Sequence, residues 1–250
     1  MVGSADGEDP RERTRERLPS AMRFGLTVSF DASTGSSDII SHNYVSYLEG
    51  LGVEPILVSN AISHPRSYIA ALDVQGMVFT AGNNISPRSY GEGSMPCTGI
   101  SDIRDMVERE LLRTAVDEDL SVFGVCRGMQ FINVFFGGTL DRDIPSKVGE
   151  TVNHMGHSHV NRVVHPGIER WLTASTFTVN SFHDQGVTLD SMSPALEVFA
   201  VCEGDGLVEG ILHPSRPILG SQWHPEREGS SQEHDLRLVR GVLQGAFWRR

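Results

Sequence analysis

The sequence has few cysteines, little positive charge and no long apolar run. Its 250 residues include only three cysteines, Cys97, Cys126 and Cys202. An odd number of distant cysteines without a C-x-x-C pair excludes a disulfide framework and favours a reducing, cytoplasmic setting. No stretch approaches the roughly 18 apolar residues that read as a membrane span. We therefore expect neither a disulfide-stapled miniprotein nor a membrane partner.

Positive charge is scarce relative to negative charge. Lysine and arginine together number 21 against 32 aspartates and glutamates, so the formal net charge is −11. Contact with phosphate groups needs a cationic surface, and this balance disfavours a nucleic-acid partner. Hydrophobic residues make up 39% of the chain, which is enough to build a core and excludes a wholly disordered protein.

The first twenty residues differ in composition from the rest of the chain. Residues 1–20 alternate charges and contain two prolines. This predicts a flexible N-terminal extension, with a short surface helix over Glu12–Leu18 as the alternative. The segment lacks the apolar core of a secretory signal, and its acidic residues argue against a transit peptide. Residues 21–250 are expected to form a single catalytic domain.

From Met22 onwards apolar strands alternate with amphipathic helices. The first half predicts strands at Phe24–Phe30, Pro55–Val58, Gly76–Thr80 and Ser121–Val125. The helices predicted between and after them are Ile39–Leu51, Ser67–Leu72, Ser101–Asp117 and Arg127–Phe136. Such alternation implies parallel strands, because each crossover needs a covering helix.

The second half predicts a different arrangement. Short turns separate the apolar segments Thr176–Asn180, Glu197–Cys202, Gly206–His213 and Pro217–Ser221, which favours antiparallel strands. A final helix is expected to begin at a capping box formed by Ser230 and Glu233 and to run through Phe247. The chain is thus predicted to be an α/β domain with a mostly parallel sheet and a smaller antiparallel portion.

The stretch V-F-G-V-C-R-G-M-Q, residues 122–130, has the pattern of a nucleophile elbow. A strand ends, a G-x-C-x-G turn follows, and a helix begins. Glycines on either side leave room where a Cβ would clash, and Cys126 lies at a helix N-terminus. The helix dipole favours the thiolate there, so Cys126 is the candidate nucleophile. Cys97 and Cys202 lack this setting.

A second segment, Q-W-H-P-E, supplies the proton carrier that a thiolate needs. Pro225 keeps the chain extended, so His224 and Glu226 point the same way. A carboxylate beside an imidazole fixes its tautomer and stabilises the imidazolium. The three side chains predict a Cys-His-Glu catalytic group.

The segments G-V-C-R-G-M-Q and Q-W-H-P-E resemble the signatures of class I glutamine amidotransferases, and the resemblance spans roughly residues 22–248. It implies a flavodoxin-like three-layer α/β sandwich. Residues 76–92, 126–140, 179–186 and 206–228 are similar to the γ-glutamyl hydrolase branch, which includes γ-glutamyl-γ-aminobutyrate hydrolase. Residues 129–138 and 208–227 also resemble γ-glutamyl-CDP-amidate hydrolases.

The resemblance implies roles for the matching residues. Cys126 would be the nucleophile, His224 the general acid/base and Glu226 the residue that orients it. The backbone N–H groups of Gly82 and Arg127 would form the oxyanion hole, although many relatives have two glycines where this chain has Ala81-Gly82. The glutamyl pocket is expected to include Gln130, Asn180, Ser181 and His183.

Four histidines cluster between residues 154 and 165: His154, His157, His159 and His165. Imidazoles are common zinc ligands. No cysteine or acidic residue accompanies them within the segment, so we assign no metal here. A substrate-facing loop and a polar loop with strand alternation are the other interpretations.

The predicted activity is hydrolysis of the γ-glutamyl amide bond of a small γ-glutamyl conjugate through a thioester on Cys126, with no cofactor. One alternative is a glutaminase subunit that supplies ammonia to a separate synthetase partner. Another is a catalytically silent binding protein on the same fold. The leaving amine stays open between γ-aminobutyrate, another amine and a nucleotide amidate, and a homodimer is one option for the assembly.

Overall fold

The structure is a computed structural model that describes residues 22–93 and 96–248. The predicted N-terminal extension, with its alternative helix Glu12–Leu18, lies outside the described residues. Within them no helix is both long enough and apolar enough to span a bilayer.

Strands β1 to β6 are Met22–Thr27, Ser29–Asp31, Ser37–Ile39, Val53–Val58, Gly76–Phe79 and Ser121–Val125. Strands β7 to β11 are Met155–Val163, Thr176–Phe182, Glu197–Cys202, Val208–Leu212 and Ile218–Ser221. Helices α1 to α7 are His42–Gly50, Pro65–Leu72, Asp102–Asp117, Arg127–Phe135, Ile144–Val148, Pro166–Glu169 and Gln232–Leu243, and a 3₁₀ turn covers Pro87–Tyr90.

Nine strands form one sheet in the order β4-β1-β5-β6-β11-β10-β9-β7-β8. The pairings from β4 to β11 are parallel. Those from β11 to β8 are antiparallel. The parallel strands follow the flavodoxin-like order 2-1-3-4-5. The predicted α/β sandwich with an antiparallel portion is confirmed.

Helices cover both faces of the parallel strands. Side chains of α1 and α7 pack on one face around Leu26, Phe123 and Trp223. Those of α2, α3 and α4 pack on the other around Phe79 and Val122. Buried on both faces, the central strands are apolar along their whole length, as in β6.

Most predicted bounds lie within two residues of those in the structure, and four differences are larger. The strand predicted over Phe24–Phe30 is interrupted at Val28, which separates β1 from β2. The helix predicted from Ile39 begins at His42, because Ser41 is its N-cap and Ile39 ends β3. No strand was predicted at β7, because most of its residues are polar.

The fourth difference is at α7. Ser231 is its N-cap, and the Ser230 hydroxyl donates to the Asp235 carboxylate, so the predicted capping box of Ser230 and Glu233 does not form. The helix ends at Leu243, four residues before Phe247.

Candidate active site

The turn between β6 and α4 holds Cys126 in a backbone conformation that side chains rarely adopt. Cys126 is the N-cap of α4, with φ +52° and ψ −106°. A Cβ on Gly128 would lie 2.0 Å from the Phe79 carbonyl oxygen, and one on Gly124 would lie 2.6 Å from the Gly128 carbonyl carbon. Both glycines are therefore required by close backbone approach, and the positive φ of Cys126 is typical of a functional turn.

Three contacts fix the elbow and its sulfur. Cys126 N donates to Ser221 O at 2.7 Å, which ties the turn to the neighbouring β11. Gln222 Nε2 donates to Cys126 Sγ at 3.5 Å. Gln222 Oε1 in turn accepts from Gln130 Nε2 at 3.2 Å. An amide donor and a helix N-terminus both favour the thiolate.

The His224–Glu226 pair follows β11 directly. His224 Nδ1 and Glu226 Oε1 are 2.8 Å apart, and both side chains are buried. Because Nδ1 donates to the carboxylate, the Nε2 atom carries the lone pair of the neutral ring. Among the described residues Nε2 has no hydrogen-bond partner. This nitrogen is therefore free for proton transfer in the cavity that it shares with Cys126.

Opposing effects set the charge of His224. Burial favours the neutral imidazole, but the negative charges of Cys126 and Glu226 outweigh it and raise the pKa of His224 to about 9. A thiolate beside an imidazolium is the reactive form of a cysteine nucleophile.

The loop after β5 and the start of α4 each contain one backbone donor of the expected oxyanion hole, Gly82 and Arg127. Gly82 has φ +129°, and a Cβ there would lie 1.9 Å from Ser29 Oγ. Ala81 N donates to Tyr44 Oη at 3.0 Å. In the part of the chain described, neither Gly82 N–H nor Arg127 N–H has an acceptor. Both residues line the cavity, so their N–H groups are the candidates for the predicted oxyanion hole.

Buried charged side chains hold the loop after β5 in place. Arg104 on α3 donates to Thr80 O at 2.8 Å and to Ala81 O at 3.1 Å. The Arg127 guanidinium pairs with Asp105 and Glu108. It is thus turned away from solvent, and the part of Arg127 that remains for substrate is its backbone. The sequence analysis assigned no role to Arg104.

A cavity of about 240 Å³ is lined by Cys126 and His224. Gln130 and His183 line it, together with Gln185, Phe182 and Arg227, and their role in binding a glutamyl group stays a prediction. The Arg227 guanidinium lies 4.9 Å from the centre of the Phe182 ring. Arg227 Nε lies 3.4 Å from Glu226 Oε1, but its side chain is partly exposed whereas that of Arg127 is buried, so Arg227 is the cavity cation that a substrate carboxylate can reach. Nothing in the sequence analysis singled it out.

The structure gives Asn180 and Ser181 other partners than substrate. Asn180 Oδ1 accepts from His224 N at 2.9 Å, and its Nδ2 donates to His224 O at 2.8 Å. Ser181 Oγ donates to His154 O at 2.9 Å. Neither residue lines the cavity. Their place in the glutamyl pocket stays a prediction. In the structure Asn180 holds the catalytic segment in place, and Ser181 contacts the residue that precedes β7.

The histidine cluster is divided between two environments. His157 is exposed on β7, and His165 contacts Glu197 at 3.0 Å. His154 and His159 turn inward towards Glu209 on β10, where His183 joins them. Strand alternation was one interpretation of this segment, and β7 does alternate from His159 onwards. The acidic partner comes from a distant strand.

Comparison with known proteins identifies a matching family and similar sequences. Residues 26–226 match the Peptidase C26 family. Protein NtpR of Enterococcus hirae is 33% identical over 213 residues, which cover 81% of this chain and 86% of that protein. A γ-glutamyl-γ-aminobutyrate hydrolase of Escherichia coli is 30% identical over 225 residues, which cover 83% and 86%.

A solved structure shares the fold. The glutaminase domain of Trypanosoma brucei CTPS with bound acivicin superposes with a TM-score of 0.63 at 12% identity, over 90% of this chain and 94% of that one.

Proposed function

The chain belongs to the Peptidase C26 family, and from that premise we propose that it is a cysteine-dependent hydrolase of γ-glutamyl amides. Its substrate is a small γ-glutamyl conjugate, and its products are glutamate and an amine. Relatives that include a γ-glutamyl-γ-aminobutyrate hydrolase support the hydrolase class.

One observation carries the proposal. The strained Cys126 lines the same cavity as His224, which is far from it in the sequence and is paired with the buried Glu226. Gly82 and Arg127 line that cavity too, and among the described residues their backbone N–H groups have no acceptor. A nucleophile, a base with a fixed tautomer and an oxyanion hole are the parts that acyl transfer requires.

In the acylation half, the Cys126 thiolate attacks the carbonyl carbon of the γ-amide. The oxyanion that forms accepts hydrogen bonds from Gly82 N–H and Arg127 N–H, each worth about 3 kcal/mol in such sites. The His224 imidazolium gives its proton to the departing amine nitrogen. The C–N bond then breaks, which leaves a γ-glutamyl thioester on Cys126 and a neutral imidazole.

In the second half, neutral His224 takes a proton from a water molecule, and the resulting hydroxide attacks the thioester. The C–S bond breaks, glutamate leaves, and the thiolate and imidazolium are restored. Glu226 keeps the ring oriented and its positive charge stabilised in both halves. Arg227 is suited to hold the α-carboxylate of the glutamyl group, because a guanidinium pairs well with a carboxylate.

The test is a panel of γ-glutamyl amides that includes γ-glutamyl-γ-aminobutyrate and free glutamine, with the released amine identified by mass spectrometry. We expect the purified chain alone to hydrolyse conjugates. Cys126→Ala should lose all detectable turnover while keeping its circular dichroism spectrum, and Cys126→Ser should be nearly as inactive. Cys97→Ala changes a thiol outside the cavity and should keep wild-type activity.

Retained turnover in Cys126→Ala would refute the mechanism. Rapid quenching of the wild type should trap an acyl adduct on the peptide that contains Cys126. A chain that acts on glutamine alone, and only when a synthetase partner is added, would instead be the glutaminase subunit of an amidotransferase.

A further inference from the structure

A second polar cluster lies behind the active site, around the carboxylate of Glu209. This side chain is fully buried. Its Oε1 atom is 3.4 Å from His159 Nε2, 3.6 Å from His183 Nε2 and 3.8 Å from His154 Nδ1. The catalytic steps above use none of these contacts.

The other ring nitrogen of His154 and that of His183 each have a hydrogen-bond partner. His154 Nε2 is 2.8 Å from Asp205 Oδ2, and His183 Nδ1 is 3.1 Å from Gln185 O. Each of these nitrogens donates its proton to the oxygen, so His154 Nδ1 and His183 Nε2 carry lone pairs on the side of Glu209. His154 Nδ1 also lies 3.3 Å from Ser181 Oγ. Among the described residues, His183 Nε2 and Glu209 Oε1 have no hydrogen-bond partner. Lone pairs that face a buried carboxylate repel it unless a positive charge lies between them.

We propose that His154 Nδ1, His183 Nε2 and Glu209 Oε1 bind a divalent transition-metal ion of the zinc type. These three atoms all lie within 4.8 Å of one another. Ligands about 2.1 Å from a tetrahedral ion are about 3.4 Å apart, which is close to the distances around Glu209 Oε1. His159 Nε2 lies 3.4 Å from the same oxygen, beside the three proposed ligands.

The surroundings have two further properties of a metal site. Metal-binding histidines usually donate their second N–H to a carboxylate or a carbonyl, as His154 does to Asp205 and His183 to Gln185. A cavity of about 320 Å³ reaches both histidines from the surface and gives an ion a path inwards. Two imidazoles and one carboxylate favour zinc-type ions over magnesium and calcium, which prefer sites made of oxygen ligands alone.

The ion would join segments that are distant in the chain: His154 precedes β7, His183 follows β8, and Glu209 is on β10. It would also brace the active site, because Glu209 O accepts from Gln222 N at 2.8 Å and Gln222 contacts Cys126 Sγ. We expect a stabilising ion, whose binding is independent of whether the proposed hydrolysis is correct.

The experiment measures metal binding in the full chain. Protein is stripped with EDTA, exchanged into metal-free buffer and titrated with ZnCl₂, with MgCl₂ as the comparison. We expect about one Zn²⁺ per chain by elemental analysis and a higher melting temperature with Zn²⁺ but not with Mg²⁺. Co²⁺ should give visible absorption bands of a tetrahedral nitrogen and oxygen site.

Variants identify the ligands. His154→Ala and Glu209→Gln should weaken Zn²⁺ binding at least roughly tenfold. His157→Ala removes an exposed histidine of the same segment, and Cys126→Ala removes the active-site thiol; both should bind Zn²⁺ as the wild type does. If a ligand variant fails to fold, the wild-type stoichiometry and the Co²⁺ spectrum still decide the matter.

The proposal is overturned if the wild type holds well under one equivalent and Zn²⁺ leaves its melting temperature unchanged. It is also overturned if a folded His154→Ala binds Zn²⁺ as tightly as His157→Ala does. Either result would mean that protons alone supply the positive charge around Glu209.

Discussion

At the scale of single residues, the charge of His224 depends on two neighbouring anions. Burial alone would keep the ring neutral, but Cys126 and Glu226 raise the pKa of His224 to about 9. A group whose pKa is raised keeps its proton until the pH exceeds that value. Because the imidazolium must protonate the leaving amine, activity should fall on the alkaline side of about 9.

Replacing Glu226 should move this alkaline limit. Glu226→Gln removes one of the anions that stabilise the imidazolium, so the basic limb of the kcat/KM profile should move to lower pH by roughly one unit. The kcat should also fall at least roughly tenfold, because the ring loses its orienting charge. A pH series of kcat/KM for both proteins measures these effects.

The matched control is Glu228→Gln, since the exposed Glu228 contributes only its backbone carbonyl to the site. Its profile should equal that of the wild type. An unchanged alkaline limb in Glu226→Gln would show that Glu226 does not set the charge of His224.

Arg227 should act on binding more than on chemistry. Arg227→Gln removes the accessible guanidinium of the cavity, so KM for a γ-glutamyl amide should rise about tenfold while kcat changes less. Steady-state kinetics with a saturable conjugate gives both constants. Arg237→Gln is the control, because Arg237 is an exposed residue of α7 paired with Glu233. A fall in kcat at constant KM would argue against carboxylate binding by Arg227.

At the scale of elements, strands β5 and β6 and helix α4 lie very close together at the turn around Cys126. The two glycine positions of that turn therefore have no room for side chains. The two glycines of the predicted G-x-C-x-G turn are required by close backbone contacts at Phe79 and Gly128. The residue with the positive φ is Cys126. The strain at Cys126 is thus maintained by packing on both sides of the turn.

Gly128→Ala should destabilise the protein. The new Cβ would lie 2.0 Å from a backbone oxygen that is fixed within the sheet, so the free energy of unfolding should fall by about 1–3 kcal/mol. Gly50→Ala, in α1, meets nothing within 4 Å and should be neutral or slightly stabilising. Urea unfolding followed by tryptophan fluorescence compares the two. Equal stability of both variants would contradict the close approach.

At the scale of the whole molecule, the active site lies where the two halves of the sheet meet. Strand β11 pairs in parallel with β6 and antiparallel with β10. Its neighbour β6 leads to Cys126, and the chain that leaves β11 carries His224 and Glu226. The carboxyl ends of adjacent parallel strands thus bring nucleophile and base together, as expected for open α/β sheets.

Hydrogen exchange should reflect this architecture. Amides of β5, β6 and β11 should exchange slowest, because these strands are paired on both sides and buried on both faces. Those of β2 and β3 should exchange fastest among the strands, since an exposed two-stranded ribbon is marginally stable. Mass spectrometry of exchanged peptides tests the order, and early exchange of β6 would contradict it.

The sequence by itself determined the features that depend on near neighbours. Local periodicity was sufficient for the alternation of strands and helices, and β6 and β9 have the predicted bounds. The glycines around Cys126 and the extended His-Pro-Glu segment were readable from the local pattern, although the contact that requires Gly128 is with the distant Phe79. Strand β7 was not predicted because its first four residues are all exposed. The alternation of buried and exposed residues begins only at His159.

Only the tertiary structure decided the contacts between distant segments. Asn180 is too far from His224 in sequence for its hydrogen bonds to be foreseen, and so is the pairing of Arg127 with Asp105 and Glu108. The acid that joins the buried histidines is Glu209, about fifty residues beyond them. Spacing along the chain specifies which side chains share a face, but which faces meet depends on how the whole sheet is ordered.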